Sequence, residues 1–178
     1  MKALLATLAT ALVATAALAA TAPAAPVQHT AMNDTIVVVA AGDARFSTLV
    51  SLVKKAGLVK TLSGKGPFTV FAPTNSAFAK LKKSAPDTYA AVAGDKALLT
   101  KVLTYHVLSK KVGSPTAVGV AKQKGSVKSV QGEKIELSLK GGKLYLNGTS
   151  QVIVADVTAS NGVIHAINTV LVPPSASS

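Results

Sequence analysis

The chain has 178 residues and no cysteine, which leaves room for one ordinary domain and excludes disulfides, thiolate metal sites and a lipoprotein anchor. Its formal net charge of +12 comes from 19 Lys and Arg against seven Asp and Glu. That balance points to anionic partners such as lipid head groups or acidic polysaccharide, or else to a solvated surface that keeps the protein soluble. Sequence-specific nucleic-acid readers favour arginine forks and stacking aromatics, and this chain has one arginine, Arg45, and 4% aromatic residues.

The first residues, MKALLATLATALVATAALAA, carry one cation, Lys2, then a long uncharged Ala/Leu/Val run that closes on the small-x-small pattern Ala17-Leu18-Ala19. This is the pattern of a secretory signal peptide over 1–20, cut near Ala19/Ala20; a membrane anchor is the competing reading. Residues 21–33, rich in Ala, Pro and Thr, read as a flexible arm. One domain is expected over 34–174, with a tail at 175–178.

Ile36 to Val39 has strand propensity, being four β-branched residues in a row. From Arg45 to Ala56, Phe46, Leu49, Val50 and Val53 follow a helical period, with Asp43 as candidate cap and Gly57 as stop. Phe68 to Phe71 reads as a short strand that Pro73 ends, and Thr74 or Asn75 caps a helix over Ser76 to Leu81. Ser84 to Gly94 carries turn and capping residues around a short Tyr89–Val92 segment. Asp95 to Leu108 is helical by pattern, with Leu99, Val102, Leu103 and His106 on one face.

After Lys111 the period changes to two. SVKSVQG, EKIELSLKGG, KLYLNG, QVIVADVTAS and GVIHAINTVLVP read as successive strands, with turns at Gly132-Glu133, Gly141-Gly142 and Asn147-Gly148. The last is apolar on both faces and so belongs at the centre of a sheet. Helices first and strands second make an α+β domain in which a sheet packs on a helical half.

No catalytic or metal constellation stands out. The chain has three histidines, His29, His106 and His165, and neither HExxH nor GxSxG. Ser63-Gly64-Lys65-Gly66 resembles a phosphate loop only faintly, because Val59 and Gly66 stand where the Walker pattern needs glycine and Ser or Thr. The reading is a non-enzyme without cofactor or metal. His106, on an apolar helix face, reads as a core histidine with its ring nitrogens hydrogen-bonded. His165 fits a buried place or a partly exposed one at a sheet end equally well.

Three blocks, TVFAPTNSAFAKL (69–81), LTYHVL (103–108) and NGVIHAINTVLVP (161–173), resemble in order and spacing the fasciclin domain family. The family's motif positions map to Phe71, Pro73, Thr74, Asn75, Asn161, Gly162, His165 and Asn168. The resemblance implies an α+β wedge, with a β-sandwich of about seven strands packed with a helical subdomain. It also implies a short helix over 36–41, against the local propensity. It further implies a secreted protein, periplasmic or extracellular, for cell adhesion or envelope and matrix contacts with a cell-surface protein, anionic polysaccharide or membrane surface. Contact residues carried over from animal members are the Tyr-His pair, Tyr105 and His106, and an Asp-Ile dipeptide that here reads Asp156-Val157. Asp is common in the family where Ser76 and Asn168 stand, so this chain lacks two anions there. A secreted, basic branch of the family binds carotenoids, which implies a lipophilic small ligand as the alternative.

Overall fold

The computed structural model describes residues 34–176; the expected leader and arm lie outside them. Seven strands join in the order β2-β1-β7-β6-β5-β4-β3. β1 (Phe68–Pro73) and β7 (Gly162–Ile167) run parallel, in register from Phe68↔Gly162 to Pro73↔Ile167. β2 (Val107–Leu108), β3 (Ser126–Lys128), β4 (Lys134–Lys140), β5 (Lys143–Leu146) and β6 (Ser150–Ala159) pair antiparallel with their neighbours. Seven strands and an α+β construction match the sequence expectation, and β7 is central, between β1 and β6.

Every residue of β7 is buried because each face meets a core of its own. Ile164 and Ala166 join Ile36, Leu49, Val70, Phe78 and Leu99 under the helices. Ile167 points the other way, to Phe71, Tyr105, Ile135, Leu137 and Leu146, which β4 and β5 enclose.

The helical part differs from local expectation in several places. Ile36–Ala41 is a helix, α1, rather than a strand. Ile36 and Ala40, one turn apart, are both buried, and the Ile36 N–H donates to Asn161 Oδ1 at 2.9 Å. Burial and this distant cap outweigh the weak β preference of the valines. The helix foreseen from Arg45 begins as a 3-10 turn, Ala44–Phe46, and continues as α2 (Ser47–Ala56), ending at Gly57. A short α3 (Val59–Leu62) follows.

Thr74 caps α4 (Asn75–Ser84), and Pro86 opens a full helix, α5 (Pro86–Gly94), where only a short segment was expected. α6 (Lys96–Tyr105) stops before Val107 and Leu108, which leave the helical pattern to pair with Val70 and Thr69. Finally, α7 (Ser114–Lys122) stands between β2 and β3, where no element was expected, so helices and strands interleave.

Candidate binding site

Tyr105 and His106 end α6 and both are inside the protein, 1% and 2% exposed. The Tyr105 hydroxyl donates to the Lys134 carbonyl at 3.0 Å and accepts from Asn147 Nδ2 at 2.9 Å. It thereby ties α6 to β4 and to the turn after β5. Burial pushes its pKa up, so the phenol stays a neutral donor. His106 Nδ1 lies 2.8 Å from the Val102 carbonyl, and its Nε2 accepts the Leu171 N–H at 3.0 Å. Those partners fix a neutral ring protonated on Nδ1, and burial lowers its pKa to about 4. The expected core histidine is there, bonded at both nitrogens.

Asp156 is exposed, at a register shift of β6 against β7. Its φ of 58° is left-handed, a conformation that Asp adopts more readily than a β-branched residue. The carboxylate accepts the Ser114 N–H at 2.8 Å and the Ser114 hydroxyl, so it caps α7 from across the sheet. The Ser114 bonds hold the carboxyl below its ordinary pKa. Val157 is half-buried and pairs with Ile164.

His165 is fully buried, resolving the alternative left open by the sequence. Its Nε2 lies 2.8 Å from the Val112 carbonyl, its Nδ1 accepts the Asp156 N–H at 3.3 Å, and its ring stacks on Phe71 with centroids 5.7 Å apart. Thr69 completes the set. Its Oγ1 accepts the Val112 N–H at 2.8 Å and donates to the Lys110 carbonyl at 2.7 Å. Thr69, His165 and Asp156 therefore hold the segment from Lys110 to Ser114, which presents Lys110 and Lys111 to solvent.

Asn161 does the same for a second loop. Its Nδ2 donates to the carbonyls of Leu62 and Gly64 at 2.8 and 2.9 Å, its Oδ1 caps α1, and its own carbonyl accepts the Phe68 N–H at 2.9 Å. Between the two loops lies an open pocket of about 460 Å³, with Lys65 and Lys111 on its walls.

Asn75 secures the other end of the sheet. Its Nδ2 donates to the Ala44 carbonyl at 2.8 Å and its Oδ1 accepts the Thr48 N–H at 3.0 Å. Asn168 Oδ1 accepts the Gln151 N–H at 3.0 Å and the Thr169 hydroxyl at 3.1 Å. Ser76 and Asn168, the two positions lacking the family's acids, line one shallow cleft with Arg45 and Ile153. Sequence reasoning did not find Thr69, Val112 or Ser114. The signal for the last was Gly113-Ser114-Pro115, a helix start inside a stretch dominated by period-two patterns.

The fasciclin domain model matches residues 44–173. Protein sll1483 of Synechocystis sp. is 51% identical over 140 residues, covering 79% of this chain and 74% of that one. Transforming growth factor-beta-induced protein ig-h3 of Sus scrofa is 40% identical over 140 residues, which is 79% of this chain and 19% of that protein. A FAS1 domain pair from the insect cell adhesion molecule Fasciclin I superposes with a TM-score of 0.70 at 19% identity, covering 80% of this chain and 52% of that chain.

Proposed function

Because the chain belongs to the fasciclin domain family, we propose that it is an exported, non-catalytic binding protein that attaches envelope or extracellular-matrix material through its lysine-rich surface. The observation that carries this reading is the contrast between the family's motif residues and the cations. Tyr105, His106 and His165 are buried and bonded to main chain, whereas Lys80, Lys82, Lys83, Lys110 and Lys111 stand exposed. The motif residues then act by positioning loops, and the lysines meet the partner. Among the described residues no helix is long and apolar enough to cross a membrane.

Attraction between exposed charges weakens as the Debye length falls from about 20 Å near 20 mM salt to about 4 Å near 500 mM. Retention of the protein on envelope or matrix material is expected to drop severalfold across that range. Retention that does not change with salt would remove the electrostatic basis of the proposal.

A second reading, a carrier of a carotenoid or other lipophilic ligand, is favoured by an apolar cleft beneath α1, lined by Ile36, Val37, Leu49, Val53, Val70 and Ile164 among others. Its free volume of about 30 Å³ holds no more than a water or two, so a polyene enters only if α1 lifts from the sheet. Visible absorbance of the protein purified from its native source tests this; a colourless, lipid-free preparation rejects it.

A further inference from the structure

The pocket between residues 63–67, Lys111 and residues 159–162 has features of a built site. It is an open cleft of about 460 Å³. Two cations, Lys65 and Lys111, line it, together with Ser63, Ser160, Thr35 and the ring of Pro67. No carboxylate is among the lining residues. The acid beside Thr35 in the chain, Asp34, gives its main-chain carbonyl to the Ser160 N–H at 2.8 Å.

Two further observations bear on what fits. The walls are held before any ligand arrives. Asn161 fastens the loop at the Leu62 and Gly64 carbonyls, and Thr69 fastens the residues on either side of Lys111. Binding therefore orders little main chain. The loop Ser63-Gly64-Lys65-Gly66 leads into β1 rather than into a helix, so it lacks the helix N-terminus that a nucleotide phosphate cradle uses.

We propose that this pocket binds an acidic sugar residue, a uronate within an anionic envelope or matrix polysaccharide. Lys65 and Lys111 take the carboxylate. Ser63 and Ser160 meet the sugar hydroxyls, and Pro67 packs against the ring. The proposal rests on the attachment reading above and names the partner's chemistry for one site on that surface.

The test is calorimetric titration of the protein with trigalacturonate, with neutral galactotriose and inorganic sulfate as comparisons. Lys65→Gln/Lys111→Gln is expected to weaken trigalacturonate binding about tenfold or more, and the control pair Lys54→Gln/Lys96→Gln, exposed and away from the pocket, by no more than about twofold.

Equal losses in the two lysine pairs, equal binding of galactotriose, or sulfate binding as tightly as the oligomer would each overturn the proposal. Phosphatidylglycerol vesicles that bind as tightly and depend on the same two lysines would assign the pocket to lipid head groups and overturn it likewise. If the wild type fails to bind trigalacturonate but keeps its salt-sensitive retention on envelope material, the pocket proposal alone falls. If the wild type is not retained at all, the attachment reading falls with it.

Discussion

His165 Nε2 lies 2.8 Å from the carbonyl of Val112, a residue of the loop that precedes α7, and both are buried. One side chain of the central strand thus fixes the loop that carries Lys110 and Lys111. His165→Ala strands the Val112 carbonyl and the Asp156 N–H and opens a cavity against Phe71. The expected loss is about 3 kcal/mol or more in denaturant unfolding. His165→Gln, able to keep one of the two bonds, is expected to lose less. Faster amide exchange at Val112 and Ser114 in both variants, at unchanged exchange in α6, would separate loop release from general destabilisation.

His106 makes stability depend on pH. Its pKa is lowered to about 4 in the folded protein, from an ordinary value near 6.5. The unfolded chain therefore binds this proton first. The neutral ring's contribution is complete above about pH 6.5 and is lost as pH falls toward 4, by about 3 kcal/mol in all. Unfolding free energy measured across this range is expected to decline in the wild type, and to decline less in His106→Gln even though that variant starts lower. An identical slope in both would place the proton elsewhere.

How much of this was legible depends on how far away the deciding partner sits. The alternation of Ile135, Leu137 and Leu139 in β4 is a local pattern, and the strand formed where it predicts. The run at Ile36 read locally as a strand because its helix is capped by Asn161 at the far end of the chain. α7 was hidden for a similar reason. It buries only Ala117 and Ala121, and the carboxylate that caps it belongs to Asp156 in β6. The three family blocks were visible as words, and they marked the right fold. Their physical work, holding two cationic loops, was not visible, because it runs through main-chain carbonyls that have no sequence signature. Lys65 and Lys111 meet at one pocket only once β1 and β7 are paired.

Asn147 begins the sequon Asn147-Gly148-Thr149, yet its amide is already engaged. Nδ2 donates to the Tyr105 hydroxyl at 2.9 Å and Oδ1 accepts the Glu136 N–H at 2.9 Å. A glycan on Nδ2 would break the bond to Tyr105. Folded protein from a glycosylating host is expected to have the unmodified mass. Asn147→Ala is expected to cost about 1–2 kcal/mol and to leave the Tyr105 hydroxyl short of a donor. A stable, glycosylated product would show that the turn tolerates release of this side chain.

Two glycines offer a graded test of backbone constraint. Gly57 ends α2 at φ 77°, where an added Cβ meets nothing within 4 Å. Gly57→Ala is therefore strained only by its left-handed conformation, and about 1 kcal/mol is expected from thermal or denaturant unfolding. Gly162 opens β7 beside β1, and a Cβ there would lie 2.1 Å from the Phe68 carbonyl oxygen and 2.8 Å from Ile36 Cδ1. Neither strand can withdraw without breaking their parallel pairing inside the sheet and the Asn161–Phe68 bond beside it. Gly162→Ala is expected to cost about 3 kcal/mol or more, enough to lower the soluble yield. It should also loosen the Asn161 clamp on the 63–67 loop, seen as faster proteolysis there before global unfolding. A Gly162→Ala variant as stable as Gly57→Ala would mean that the two central strands can separate far more easily than their packing implies.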